Sequence, residues 1–319
     1  MRKDLKSHFL ATLYGAAIGD ALGVPSEGLT ITMYEKYFPN GIHDFVPSPP
    51  GLHGSLQPGQ YSDDTEQLLI LANSLVQDKG LDIHNFSKRL ANWWRISAGV
   101  PSMNRGIGKT SWAGCRKLSL GVSPFESGSQ YSLSNGSVMR VAPIGLFYRN
   151  PRNSSSKARV SSIPTHDKRE CKEAAAYIAS MISFMVHLGK SPLQAAKASL
   201  DMIKDKRLEN RFKKAIRYRK QKPEKVAKIL GTRQTVLQSV PYAVYCFLHN
   251  QTSYEKAVLL AVNSIPGDTD TISCITGALS GAHLGMKGIP KKFIKNLEDQ
   301  KRIRSLGNKL LSKAAQFGF

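Results

Sequence analysis

Residues 267–285 read GDTDTISCITGALSGAHLG: two carboxylates set among threonines, then an apolar run. After Thr271, the glycines Gly277, Gly281 and Gly285 recur every four residues, so one edge of the predicted helix is nearly bare backbone. Such an edge lets a second helix axis come close, which points to helix-on-helix packing in a core. The start of the chain has the same style, with Gly15, Gly19 and Gly23 around Asp20. Its basic opening and short apolar run imitate a secretory leader, but this glycine spacing and the acid within it favour a packed helix of the mature protein.

Helical spacing continues outward from these two segments. Leu68, Leu69, Ala72, Leu75 and Val76 fall on one helix face, as do Ala174, Ala175, Ile178, Ile182 and Met185. Long alternating strands are absent. Proline and glycine punctuate at 47–54, 101–108, 121–136 and 151–164, and the last of these, PRNSSSKARVSSIP, reads as a mobile loop. The expectation is a single all-α domain over residues 1–319 with its long loops facing one side, since loops of this length usually serve a site.

Composition narrows the class. An apolar fraction of 41%, with 26 Gly and 16 Pro scattered along 319 residues, excludes disordered and collagen-like chains. Cys115, Cys171, Cys246 and Cys274 lie far apart with no C-x-x-C pair, so a reducing, cytoplasmic setting is expected. No run reaches the roughly 18 apolar residues of a membrane span. The formal net charge is +22, much of it between Lys204 and Lys228. That stretch is either a solvated helical surface or a docking patch for nucleic acid, a membrane or an acidic protein.

A second segment shares the chemistry of the first. Residues 61–67, YSDDTEQ, also put two acids and hydroxyls at the mouth of a helix. Ser, Asp and Thr are common helix caps, and first-turn acids suit the helix dipole, so either segment alone reads as capping. Two such entrances are better explained by shared cations. Ser62, Asp63 and Asp64 with Asp268, Asp270 and Thr271 supply six oxygen-bearing side chains, which suit Mg²⁺, Mn²⁺ or Ca²⁺ rather than Zn²⁺. Two ions about 3.5–4 Å apart would remove the repulsion between neighbouring acids.

In order along the chain, GDALGVPSEG (19–28), YSDDTEQ (61–67), RGIGKTS (105–111), SNGSVMRVAPIG (134–145), Thr165-His166 and GDTDTISCITGALSGAHLG (267–285) resemble the motifs of the ADP-ribosylglycohydrolase family. The resemblance implies an orthogonal helical bundle with a loop-lined metal cleft, two Mg²⁺ or Mn²⁺ ions, and hydrolysis of the bond between ADP-ribose and an acceptor. It implies that Ser62, Asp63, Asp64, Asp268, Asp270 and Thr271 are metal ligands. Glu27 corresponds to an acid beside the metals, and Arg105, Gly106, Ile107, Gly108, Asn135, Gly136, Ser137, Met139 and His166 correspond to residues lining the ADP-ribose groove. Ser62 stands where the family usually has threonine, which keeps the hydroxyl oxygen.

The chemistry then expected is cleavage at the anomeric carbon of the distal ribose through an oxocarbenium-like transition state. Asp63 or Asp64 would take the proton of the attacking water, with Glu27 orienting the water or the leaving group. Gly106 and Gly108 would let backbone amides approach a diphosphate, and Asn135-Gly136 suits a positive-φ turn. Arg140 reads either as a phosphate contact or as a structural ion pair. A monomer is expected. A phosphoester hydrolase using Mg²⁺, and an ADP-ribose-binding module with little turnover, remain the alternatives.

Overall fold

The computed structural model describes residues 4–52, 55–100 and 105–318. The expected loops at 47–54 and 101–108 therefore fall partly, at 53–54 and 101–104, outside the described residues. In chain order the helices are α1 Leu5–Gly23, α2 Ile31–Tyr37, α3 Asp63–Gln77, α4 Ile83–Gly99, α5 Lys109–Ser119, α6 Pro124–Ser127, α7 Ala142–Phe147, α8 Pro151–Ser162 and α9 Arg169–Val186. They continue with α10 Pro192–Leu200, α11 Lys206–Arg217, α12 Pro223–Leu230, α13 Ser239–His249, α14 Tyr254–Val262, α15 Thr269–Leu284, α16 Lys291–Asn296 and α17 Gln300–Phe317. Among the described residues there is no strand, only an isolated antiparallel bridge between Ser134 and Thr235. The fold is all-α, as the periodicity predicts.

α1 and α15 form the centre, and glycine is what lets them meet. A Cβ on Gly19 would stand 2.1 Å from the Ser273 carbonyl oxygen, and one on Gly277 would stand 2.0 Å from that of Gly15. The two backbones are thus in direct contact, and polar side chains bind across them. Ser273 Oγ donates to Gly19 O at 2.6 Å, Thr269 Oγ1 donates to Gly23 O at 2.9 Å, and Tyr254 from α14 donates to Gly15 O at 2.7 Å. Gly285 has a different job from Gly277 and Gly281. It follows the last residue of α15 with φ +68°, a left-handed conformation that ends the helix.

The apolar faces expected on α3 and α9 are buried throughout, and most of the buried apolar residues form one contiguous cluster from Phe9 to Ala314. Full burial of each Leu or Ile contributes about 1.5–3 kcal/mol. The four cysteines are buried and unbridged. Among the described residues, no helix is long and apolar enough to cross a membrane.

The segment 151–164 is not a mobile loop: most of it is α8. Asn150 accepts from Arg152 N at 2.9 Å, and Pro151 occupies the first turn, where its missing N–H costs nothing. The serines that suggested a loop are short enough for close packing against α9. Three of their hydroxyls return to carbonyls of the helix itself, Ser155 to Arg152 O at 2.9 Å, and Ser161 and Ser162 to Ala158 O at 2.9 and 3.1 Å. Arg159 then pins α8 to α9 through two bonds to Glu173, at 2.9 and 3.1 Å.

Candidate active site

Three chain segments converge because of the α1–α15 contact. α1 runs out through a 3₁₀ turn, Val24–Ser26, to Glu27, while α15 begins beside it at Thr269. Ser26 Oγ donates to Thr269 Oγ1 at 3.0 Å and to Val262 O at 2.9 Å, which locks the two ends together. Asp20, fully buried on the last turns of α1, brings in the third segment. Its carboxylate accepts from Ser62 N (3.1 Å), Thr65 N (2.9 Å) and Thr65 Oγ1 (2.6 Å), so an acid of one helix caps the start of α3.

Six carboxyl groups consequently gather at one place: Asp20, Glu27, Asp63, Asp64, Asp268 and Asp270, all buried. Oxygens of Glu27, Asp268 and Asp270 lie within 4.8 Å of one another. Burial, and next the charge of Asp270, push the carboxyls of Glu27, Asp63, Asp64 and Asp268 well above the usual range. The same two causes raise Asp20 to about 7. Hydrogen bonds from neutral amides oppose the shifts, from Gln234 at Glu27, Gln67 at Asp63 and Asn135 at Asp268.

Capping alone does not explain this arrangement. Ser62 is a true cap, its Oγ accepting from Asp64 N at 3.2 Å. Asp268 occupies the cap position of α15 yet makes no capping bond; it accepts instead from Asn135 Nδ2, which also donates to Ser239 Oγ at 2.8 Å. Asp63 accepts from Gln67 Nε2 at 2.6 Å, one turn along α3. Asp64 Oδ2 is buried with no hydrogen-bond partner. An all-oxygen donor set with an unpartnered buried carboxylate oxygen fits a hard divalent cation.

The acids floor a cavity of about 510 Å³. Glu27, Asp63, Asp64, Asp268, Asp270 and Thr271 line it, with Gly106, Ile107, Gly108, Asn135, Gly136, Met139 and His166 from the expected groove loops. Three expected residues do not line it. Ser62 is buried beneath as the cap of α3, and Ser137 is buried behind the loop. The Arg105 side chain is held elsewhere, by Glu298 at 2.5 and 3.0 Å and against the Tyr61 ring, while its backbone carbonyl accepts from Asp63 N at 3.1 Å.

Gly106 has φ +91°, whereas the Asn135-Gly136 pair does not adopt the positive-φ turn. Gly136 is required by close approach: a Cβ there would stand 2.9 Å from both His166 Cε1 and Ser111 Oγ. His166 is fully buried, bonded through Nε2 to Ser134 Oγ (2.9 Å) and through Nδ1 to Thr165 Oγ1 (2.8 Å). Burial, assisted by Arg140, lowers it to about 3, so it is neutral at ordinary pH. Among the described residues lining the cavity, Lys109 at the start of α5 is the one lysine or arginine.

Arg140 neither reaches the cavity nor pairs with a carboxylate. Fully buried, it donates to Gln67 Oε1 (2.6 Å), Thr165 Oγ1 (2.7 Å) and Ser161 O (3.2 Å). Because Gln67 accepts from Arg140, its amide nitrogen must face Asp63, and one guanidinium thereby orients both Asp63 and the Thr165-His166 pair. Sequence reasoning missed Asp20, Gln67 and Gln234 as well. An acid inside an otherwise apolar helix was the available signal for Asp20, and the i+4 spacing from Asp63 was that for Gln67. Gln234, which donates to Glu27 Oε1 at 2.8 Å, carries no local signal.

Residues 1–317 match the family model described as ADP-ribosylglycohydrolase. The chain is 32% identical over 311 residues to an uncharacterized protein of Archaeoglobus fulgidus, covering 96% of each. It is 28% identical to the ADP-ribosylarginine hydrolase Tri1 of Serratia proteamaculans, covering 96% of this chain and 80% of that protein. Among solved structures, an ADP-ribosylglycohydrolase-related protein complex superposes with a TM-score of 0.80 at 25% identity, over 98% of this chain and 99% of that one.

Proposed function

The chain belongs to the ADP-ribosylglycohydrolase family, and we propose on that premise that it hydrolyses the glycosidic bond joining ADP-ribose to an acceptor, an arginine side chain being the first candidate. The name of the Serratia relative supports that acceptor. The observation that carries the reading is the buried carboxylate cluster flooring a cavity, with an unpartnered oxygen on Asp64. We further propose that residues 1–319 act as one catalytic domain.

Asp63, Asp64, Asp268 and Asp270, with Ser62 and Thr271, would hold two Mg²⁺ or Mn²⁺ ions. Held there, such ions would offset the negative charge of the cluster and would supply Lewis-acid activation for hydrolysis. The chain's own residues do the rest. Residues 106–108, the start of α5 and the loop 134–139 bind the nucleotide, with backbone amides and Lys109 facing the diphosphate. Neutral His166 fixes the loop through Ser134 without adding charge. Gln67 pins Asp63, so Asp64 is assigned the proton of the attacking water. Glu27, steadied by Gln234 at the cavity mouth, orients the departing acceptor.

The test is release of ADP-ribose from ADP-ribosyl-arginine by wild type and by Asp268→Asn/Asp270→Asn, with Mg²⁺ or Mn²⁺ and after chelation. Loss of turnover in the variant and on chelation supports the reading. Unchanged turnover in both settings rejects it, and tight ADP-ribose binding without product would reduce the protein to a binding module.

A further inference from the structure

The sequence's charge excess concentrates away from the carboxylate cluster. From Lys204 to Arg233, 13 of 30 residues are Lys or Arg against three acids. The stretch folds as α11, a short turn and α12, and α11 is fastened to the core by its other side. Leu208, Phe212, Ala215 and Ile216 are buried, and the Phe212 ring stacks on Tyr177 at 3.6 Å. The charged side is therefore a fixed surface.

Its acids are already engaged or few. Asp205 caps α11, Glu209 is paired with both Lys206 and Lys213, and Glu224 is the third. Lys214, Arg217, Lys220, Lys225, Lys228 and Arg233 are exposed, and among the described residues none forms an ion pair with a carboxylate. The basic stretch is continuous in the chain with the lining of the catalytic cavity. Lys228 and Arg233 line a separate cavity of about 590 Å³, and the adjoining residue Gln234 lines the catalytic one and holds Glu27. Residues 231–233 thus line one cavity and the next residue, Gln234, the other.

We propose that the exposed side of α11 and α12 is a polynucleotide-docking surface that leads a strand to the rim of the catalytic cavity. A nucleic-acid backbone is favoured over an acidic protein because stable protein interfaces need apolar anchors at their centre. None of the large exposed apolar side chains lies between 204 and 233. A polyanion needs none, because release of its condensed counterions drives binding. A membrane is disfavoured because the apolar face of α11 is buried and cannot insert.

The experiment measures binding alone, so it is independent of turnover. Fluorescence anisotropy with a short labelled single-stranded DNA and its RNA counterpart is followed as salt rises. Wild type is compared with Lys214→Gln/Arg217→Gln/Lys220→Gln/Lys225→Gln and with a charge-matched control, Lys291→Gln/Lys301→Gln/Arg304→Gln/Lys309→Gln. Wild type should show a steep negative slope of log affinity against log salt. The α11–α12 variant should bind at least about tenfold more weakly, its slope shallower by about 3, at roughly 0.7 per lost phosphate contact. The control should stay within about twofold of wild type. Absence of wild-type binding at low salt, equal weakening in both variants, or retention only by phosphatidylserine vesicles or polyglutamate would overturn the proposal.

Discussion

Replacing Gly19 with Ala tests whether the α1–α15 contact builds the site. The added Cβ would stand 2.1 Å from Ser273 O and 2.6 Å from its carbonyl carbon, against ordinary contact from 3.4 Å. Backbone is on the other side, so no side chain can swing away. The helices must part by about 1.3 Å at this level, the difference between the two distances. Overpacking of this kind costs about 1–3 kcal/mol, and weakening the Ser273–Gly19 hydrogen bond adds about 1 kcal/mol. At roughly 2 °C per kcal/mol for a chain this long, Tm should fall by about 4–8 °C. The neighbouring residue is Asp20, which holds the start of α3, and Asp270 sits one turn before Ser273. A displacement near 1 Å between catalytic groups costs on the order of 10²-fold in rate. Thermal melting and kcat/KM for ADP-ribosyl-arginine should therefore fall together, and divalent-metal affinity with them. A variant within 1 °C of wild type that keeps full activity would refute the direct backbone contact, on the scale of about 2 °C per kcal/mol.

Three further outcomes are expected. In metal-free protein, Asp20 carries a folded-state pKa of about 7 against 3.8. Its stabilising contribution is therefore full below about pH 4 and is lost as pH rises to about 7, with Glu27, Asp63, Asp64 and Asp268 acting in the same direction. Melting curves without metal should show Tm falling across that range, and saturating Mn²⁺ should reverse the trend; a flat metal-free profile contradicts the cluster. Arg140→Lys should lose about 2–4 kcal/mol by denaturant titration, because an ammonium cannot reach Gln67, Thr165 and Ser161 together. Gln234→Ala, at an exposed position, should leave Tm unchanged while lowering kcat about tenfold through loss of its bond to Glu27, and equal kcat values would remove Gln234 from the site.

What could be read from the residues was whatever has a short-range signature. The faces of α3 and α9 follow from helical spacing, and the two acid-hydroxyl entrances announce themselves by placing repelling groups side by side. Long-range polar partners have no such signature. The sequence suggests a phosphate contact or an ion pair for Arg140, yet its partners come from α3 and from the end of α8, far away in the chain. The family resemblance puts Arg105 in the groove, but Glu298 draws its side chain the other way. α8 was missed because serine is a poor helix former alone, and only packing against α9 rewards its small size. Asn135-Gly136 looked like a turn of special backbone geometry, whereas the requirement is room for His166.

The central claim is that the carboxylates of α3 and α15 bind divalent cations together. Calorimetric titration of metal-stripped protein with Mn²⁺ addresses it most directly, using wild type and Asp268→Asn/Asp270→Asn in two buffers of different ionisation enthalpy. Two ions per chain, proton release on binding, and loss of both in the variant are predicted. Heats that are absent, or identical in the two proteins, would contradict it.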